Sequence, residues 1–163
     1  MEQLNLIAAK IYTRDHLLRQ MHIWRFKGKK IIFTNGCFDI LHLGHVEYLA
    51  KARDMGSILI IGLNSDDSVR RLKGSHRPIN DEDARSMVLA AFSFVDAVVI
   101  FDEDTPAELI EQIKPDVLVK GKDYEGKKIV GADFVKASGG EVVTIELTKG
   151  YSSTGIIQKA HLH

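Results

Sequence analysis

The chain has little of what a secreted, membrane-bound or nucleic-acid-binding protein needs. Its 163 residues include one cysteine, three prolines and one tryptophan, and a single cysteine permits no internal disulfide. No stretch has the apolar length of a membrane span or the form of a signal peptide. Acidic and basic residues balance at 22 each, which argues against binding to nucleic acid or to a membrane surface by bulk charge. We therefore expect a cytoplasmic protein that binds neither nucleic acid nor a membrane.

The residues that are abundant indicate an α/β domain. Hydrophobic residues make up 45% of the chain, which is enough for a sizeable core. Apolar strand-like runs alternate with helical patterns, and this alternation predicts an open parallel sheet of about five strands with helices on both faces. The predicted strands are 31–34, 58–63, 97–101, 117–119 and 142–147. The predicted helices among them are 43–55, 67–72, 81–94, 106–113, 132–137 and 154–160.

One more helix is predicted ahead of the first strand, at residues 13–24. Its apolar stripe is formed by Leu17, Leu18, Met21 and Trp24, and such a stripe indicates packing or a dimer surface rather than chemistry. We therefore divide the chain into an N-terminal helical extension, residues 1–28, and a single domain, residues 29–163.

The most informative segment, residues 34–45, reads TNGCFDILHLGH and joins the first predicted strand to a helix. Such a turn presents unpaired backbone N–H groups and the positive end of the helix dipole, which favour phosphate. Gly44 allows a ligand to approach the backbone without meeting a Cβ atom. Because His42 and His45 are three residues apart, they share one helical face. The segment therefore predicts a phosphate site with two imidazoles.

Three other interpretations compete with this one: two ordinary structural histidines, a zinc site, or a nucleophilic Cys37 activated by His42. Zinc requires three or four protein ligands, and beyond the two histidines and Asp39 the chain offers no suitable cluster. No third group is evident to orient a cysteine–histidine pair, and a small buried thiol is commoner. We therefore predict no protein-held metal and an unreactive Cys37.

The segment GCFDILHLGH resembles the HxGH signature of the cytidylyltransferase-like nucleotidyltransferases. Other segments resemble blocks of that family in the same order: 64–66 (NSD), 71–74 (RLKG), 77–78 (RP), 119–124 (VKGKDY) and 151–154 (YSST). The collinear set is most similar to the adenylyltransferases that act on D-glycero-β-D-manno-heptose 1-phosphate. One departure concerns the cytidylyltransferases of glycerol 3-phosphate, which carry an arginine where this chain has Leu147-Thr148-Lys149.

The resemblance implies a Rossmann-like sheet with strand order 3-2-1-4-5. Ligands bind such sheets at the carboxyl edge, where the strand order reverses, and the blocks above all follow predicted strands. The implied reaction transfers AMP from ATP to the sugar 1-phosphate and releases pyrophosphate, with Mg²⁺ bound to the triphosphate. The alternatives are a cytidylyltransferase for glycerol 3-phosphate or a similar alcohol phosphate, and a regulatory module that binds nucleotide without turnover. A homodimer is expected from the size of the chain.

The resemblance also implies a set of site residues. His42, His45 and Lys73 are the predicted catalytic residues. The predicted nucleotide-binding residues, besides the two histidines, are Asn35, Gly36, Cys37, Phe38, Gly44, Lys120, Gly121, Asp123, Ser152, Ser153 and Thr154. The predicted substrate-binding residues are Asp39, Asn64, Asp66, Lys73, Arg77 and Arg85. For Arg85, an ion pair with Asp81 or Glu82 at helical spacing is an equal alternative, and Ser152–Thr154 also suit a helix N-cap.

Overall fold

The computed structural model describes residues 2–122 and 128–160, which form a six-stranded parallel sheet with helices on both faces. The strands are β1 (Ile11–Tyr12), β2 (Ile31–Gly36), β3 (Ile58–Asn64), β4 (Ala97–Phe101), β5 (Val117–Gly121) and β6 (Glu141–Ile145). The helices are α1 (Glu2–Ala8), α2 (Arg14–Phe26), α3 (Leu43–Arg53), α4 (Asp66–Lys73), α5 (Glu82–Ala90), α6 (Ala107–Ile113), α7 (Ala132–Ala137) and α8 (Ser153–Ala160). Within the described ranges, no helix has the length and apolar character needed to cross a membrane.

The strand order is β1-β4-β3-β2-β5-β6. The five predicted strands are all present in the predicted order, and all neighbours pair in parallel. The prediction lacked β1, which pairs with β4 at the edge of the sheet. A strand of two residues is too short to produce a hydrophobic period, so only its partner strand reveals it.

The core lies on both faces of the sheet because the central strands are apolar at almost every position. In β2, Ile31 and Phe33 point into one apolar cluster and Ile32 into the other. All seven residues of β3 are buried. Burial on both faces is typical of the inner strands of a parallel sheet, and it gives the loops at the sheet edge a rigid base.

Residues from the predicted N-terminal extension contribute to this same sheet and core. Helix α2 confirms the helix predicted for residues 13–24, and Thr13 accepts a hydrogen bond from the His16 amide at 3.4 Å as its N-cap. Leu17 is fully buried and Met21 is 3% exposed, both in the cluster that contains Phe33. The apolar stripe of α2 therefore packs within its own chain.

The sheet opens between β2 and β5, the strands at which the strand order reverses. Their ladder contains only the pairs Ile32–Val117 and Phe33–Leu118, although both strands continue beyond them. The Tyr48 hydroxyl of α3 bridges the gap, because it lies 2.7 Å from the Thr34 hydroxyl and donates to the Val119 carbonyl at 3.1 Å. The parting of the two strands creates a crevice at the carboxyl edge.

The packing of α2 yields a first prediction. Leu17→Ala removes a fully buried side chain, so we expect it to lower the free energy of unfolding by about 2–5 kcal/mol. Ile23→Ala on the same helix is the control, because Ile23 is 48% exposed, and its effect should stay within about 0.5 kcal/mol. Urea denaturation measures both, and equal effects would show that α2 is not part of the cooperative core.

Candidate active site

A cavity of about 660 Å³ occupies the crevice between the ends of β2 and β5. Sixteen of the predicted site residues line it: Asn35, Gly36, Cys37, Phe38, Asp39, His42, Gly44, His45, Asn64, Lys73, Arg77, Lys120, Gly121, Ser152, Ser153 and Thr154. Asp66 and Arg85 do not line it, and Asp123 lies outside the described residues. The fold therefore brings together loops that are distant in sequence.

The two histidines of the HxGH segment lie face to face in the cavity wall. Their ring centroids are 3.8 Å apart with an interplanar angle of 25°. His42 precedes the first turn of α3 in an extended conformation and makes no capping bond with its side chain. The Nδ1 atoms of both rings are buried and have no hydrogen-bond partner among the described residues. Two imidazoles thus retain unused polar atoms at a helix N-terminus.

Gly44 lets the His42 ring lie close to the start of α3. A Cβ atom at this position would lie 3.1 Å from Nδ1 of His42 and 3.4 Å from Cβ of Tyr151. The first distance is tighter than ordinary van der Waals contact and the second is an ordinary contact, so a side chain at position 44 would require a small shift of the His42 ring. The absence of a side chain therefore favours the observed stack.

Both imidazoles are poor proton acceptors in the unliganded protein. Burial, with the nearby His42 and Lys73 charges, lowers the pKa of His45 to about 4. Burial also lowers the pKa of His42. The rings are consequently neutral at pH 7, and a bound polyphosphate would have to supply the negative field that favours their protonation.

Asp39 ties the loop after α4 to the HxGH segment. Its carboxylate forms an ion pair with Nε of Arg77, and it accepts hydrogen bonds from the amides of Ile79 at 2.7 Å and Asn80 at 3.2 Å. Asp39 is only 3% exposed, so protein groups already engage its oxygens. The second terminal nitrogen of Arg77, Nη2, is buried without a hydrogen-bond partner in the described parts of the chain.

Carboxylates in the described part of the site are already paired within the protein. In residues 2–122 and 128–160, no group of three or more His, Cys, Asp or Glu side chains is placed to hold a metal. Asp39 is engaged as described, and Asp104, which lines the cavity, pairs with Arg71 at 2.9 Å.

Arg85 lies beneath the cavity and joins its loops. The side chain is 1% exposed and pairs with Asp66 at 2.7 Å, rather than with Asp81 or Glu82. Its guanidinium also donates to the carbonyls of Cys37 at 2.6 Å and Asn64 at 2.9 Å. The structure thus places Arg85 and Asp66 outside the cavity lining, with the Arg85 guanidinium joining two loops beneath it.

The far side of the cavity is built from β5 and the start of α8. Lys120 of β5 is 7% exposed and donates to the Asn35 side chain across the crevice. Ser152 caps α8 by accepting a bond from the Gly155 amide at 3.0 Å, which confirms the predicted N-cap. The Ser153 hydroxyl donates to the carbonyl of Ile40 at 2.9 Å. These bonds hold the N-terminus of α8 against the HxGH segment.

Several residues that line the cavity were not among the predicted site residues: Tyr48, Leu72, Asp104, Thr105, Pro106, Lys128, Val130, Leu147, Thr148 and Tyr151. Of these, Leu72 and Tyr151 do lie in segments that the family resemblance covers. Residues 104–106 follow β4, so the rule that ligands bind after parallel strands could have identified them. Tyr48 belongs to the apolar pattern of α3 and carries no sequence signal of its own. Its role becomes visible only when the gap between β2 and β5 is known.

The order of motifs and the cavity agree with one known family. Residues 33–159 match the family described as cytidylyltransferase-like. The chain belongs to this family. The resemblance of the HxGH segment to this nucleotidyltransferase family is thereby confirmed.

Relatives in bacteria share most of this chain. It is 56% identical over 150 residues to the Bifunctional protein HldE of Wolinella succinogenes, covering 92% of this chain and 31% of that protein. The identity to the protein of the same name from Campylobacter concisus is 63% over 134 residues, covering 82% of this chain and 28% of that protein. The chain therefore spans about a third of the length of these relatives.

Two solved structures resemble the fold. A lipopolysaccharide core biosynthesis protein from Thermoplasma volcanium superposes with a TM-score of 0.60 and 28% identity, covering 77% of this chain and 100% of that one. A pantoate–β-alanine ligase from Francisella tularensis superposes with a TM-score of 0.59 at 16% identity, covering 93% of this chain and 77% of that one. The second likeness concerns the fold alone.

The contacts of Arg85 predict a structural rather than a binding defect. Arg85→Met keeps an apolar stem but leaves Asp66 and several buried carbonyls unpaired, so we expect a loss of about 3–5 kcal/mol in the free energy of unfolding. Arg70→Met on α4 is the control, because Arg70 forms an exposed pair with Asp67 that contributes less than about 1 kcal/mol. A stable Arg85→Met protein with weaker substrate binding would contradict this role.

The environment of His45 predicts a loss of stability in acid. The unfolded histidine titrates near pH 6.5 and the folded one at about 4, so the unfolded state binds more protons between these values. The contribution is fully present above pH 6.5 and is lost as the pH falls towards 4. The free energy of unfolding, measured by denaturation at a series of pH values, should therefore fall less steeply with falling pH for His45→Asn than for the parent protein. Parallel slopes would contradict the low pKa.

Proposed function

We propose that this chain transfers AMP from ATP to D-glycero-β-D-manno-heptose 1-phosphate, giving an ADP-heptose for lipopolysaccharide or related glycans. The observation that carries the proposal is the stacked pair of His42 and His45, which lines the cavity at the reversal of strand order and whose buried Nδ1 atoms have no hydrogen-bond partner in the described structure. The name of the Thermoplasma relative, a lipopolysaccharide core biosynthesis protein, and the HldE relatives support the choice of acceptor.

The proposed chemistry is a direct displacement at the α-phosphorus. A phosphate oxygen of the sugar 1-phosphate forms the new P–O bond while the bond to the bridging oxygen breaks and pyrophosphate leaves with the electron pair. No protein nucleophile takes part. Burial raises the pKa of the Cys37 thiol, and neighbouring Lys73 and Arg85 offset this effect only in part, so the thiol nearest the reaction stays protonated.

The barrier arises from bringing two anions together and from charge that grows on the leaving pyrophosphate. We assign His42 and His45 to the stabilisation of that charge, because both rings lie at the N-terminus of α3, where the helix dipole also favours anions. Lys73 and Arg77 are assigned to phosphate groups of the sugar or the triphosphate. Arg77 supports this assignment directly, since Asp39 fixes one side of its guanidinium and leaves Nη2 without a partner in the described structure.

The nucleotide is assigned to the opposite wall. Asn35, Lys120 and Gly121 stand at the ends of β2 and β5, while Ser152–Thr154 open α8, whose N-terminus presents N–H groups and hydroxyls to phosphate. Asp123 completes the predicted set outside the described residues. Mg²⁺ enters the proposal as the counter-ion of the triphosphate, which it would bring into the cavity.

Two broader features complete the proposal. We propose a homodimer, on the general prevalence of twofold assemblies, and light scattering of the purified chain tests it. We also propose a cytoplasmic location, because the reaction consumes ATP and the one cysteine, Cys37, is a free thiol suited to a reducing compartment.

A pyrophosphate-release panel tests the reaction. It crosses ATP, CTP and GTP with heptose 1-phosphate and glycerol 3-phosphate, and we expect turnover with ATP and heptose 1-phosphate. Turnover only with CTP and glycerol 3-phosphate would assign the chain to alcohol phosphates. Binding of ATP without pyrophosphate release from any pair would identify a regulatory module.

Variants of the histidine pair test the assignment of its role. His42→Asn and His45→Asn should each lower kcat by about a hundredfold or more, since each removes a donor to developing charge. His22→Asn is the matched control, because His22 is exposed on α2 and is not among the residues that line the cavity. If the three variants lose rate equally, the imidazole stack has no specific part in the reaction.

A further inference from the structure

Four rings form a continuous column along the wall of the cavity. The buried end is Phe38, whose ring meets His45 edge-on at 5.3 Å between centroids. His45 stacks on His42 at 3.8 Å, and His42 lies nearly parallel to the ring of Tyr151 at 6.3 Å, with an interplanar angle of 28°. Phe38 is 7% exposed and Tyr151 is 48% exposed, so the column runs from the core to the mouth of the cavity.

The stack does not easily carry two protons. The two ring centroids are only 3.8 Å apart, and two unit charges at that separation repel strongly inside a protein. Lys73 adds to the positive field at the inner ring, His45. The outer ring, His42, is therefore the better site for the first proton that a bound polyphosphate draws in.

Tyr151 lies beside the His42 ring, nearly parallel to it. The π face of a tyrosine attracts a cation within about 6 Å of its centroid, and the 6.3 Å between the two centroids is at the limit of that range. A Cβ atom at Gly44 would lie 3.4 Å from Cβ of Tyr151, so the tyrosine is at contact distance from the first turn of α3. The loop is also anchored next to this point by the Ser153 hydroxyl on the Ile40 carbonyl. Nothing in the apolar periodicity of the chain requires an aromatic residue here, where the side chain is half exposed.

We propose that Tyr151 is a positioning residue for nucleotidyl transfer, because its ring lies nearly parallel to the His42 imidazole, 6.3 Å away between centroids, and favours the protonated form of that imidazole. The proposal deepens the proposed function and rests on it. Other charged groups share the cavity with His42: Lys73 from α4, Lys120 from β5, and Asp39, Arg77, Asp104 and Lys128 from the loops. The four cations oppose a positive charge on His42, and both carboxylates are paired with arginines, so the tyrosine acts against a largely cationic background.

The first test reads the imidazole itself and requires no turnover. NMR titration of His42 is compared in the parent protein, Tyr151→Leu and Tyr151→Phe, with inorganic triphosphate as the anion. Leucine keeps apolar bulk but has no π face, so the midpoint should fall by roughly half a pH unit, while phenylalanine should keep it near the parent value. An unchanged midpoint in Tyr151→Leu would overturn the proposal, even if the protein proves to be a transferase.

The second test separates action through His42 from a structural role of the loop. On the substrate pair that the panel identifies, Tyr151→Leu should lower kcat by roughly threefold to tenfold with little change in KM, and should move the alkaline limb of the pH profile to lower pH. In a His42→Asn background the same change should have no further effect on kcat. Additive losses, or a loss expressed only in KM, would overturn the proposal. Absence of turnover in the parent protein would instead refute the proposed function, and the NMR titration would still decide the role of Tyr151.

Discussion

The site depends on the early end of the ladder between β2 and β5. Two neighbouring strands that keep hydrogen-bonding to their ends leave no space for a ligand, whereas these two stop pairing after Phe33 and Leu118. Tyr48 satisfies the Thr34 hydroxyl and the Val119 carbonyl that would otherwise be left in the gap. Lys120 and Asn35 bridge the next step outward. The crevice is therefore a stable part of the fold, with its polar groups satisfied at its base.

The charged and polar groups around that crevice favour the binding of anions. Buried carboxylates and cations are matched within the protein, as Asp39 is by Arg77 and Asp66 by Arg85. The groups left without partners in the described structure are donors, such as Nη2 of Arg77, and the Nδ1 atoms of the imidazole stack. The carboxylates of such a cavity are already paired, whereas some of its nitrogen atoms lack hydrogen-bond partners in the described structure. Such a cavity is suited to polyanions, whose charge compensates the burial of these nitrogen atoms.

Sequence reasoning was strongest where a local pattern and a topological rule agreed. The segment between β2 and α3, with His42, Gly44 and His45, predicted a phosphate site without any tertiary information. The observed strand order and cavity then confirmed the expected convergence of loops. Sequence reasoning was weakest for long polar side chains. The family resemblance implied a substrate-binding Arg85, and helical spacing offered a pair with Asp81 or Glu82, yet its guanidinium contacts Asp66 and the carbonyls of Cys37 and Asn64.

The alternation of apolar strands and helices determined by itself the class of fold and the side of the sheet on which ligands bind, because side-chain periodicity and the handedness of parallel crossovers are local rules. Only the tertiary structure decided which polar groups face the cavity and which support it. The direction of a long side chain such as Arg85 depends on unpaired carbonyls from other strands. The stacking of Tyr151 on His42 likewise depends on a contact between residues that are more than a hundred positions apart, which no local pattern contains.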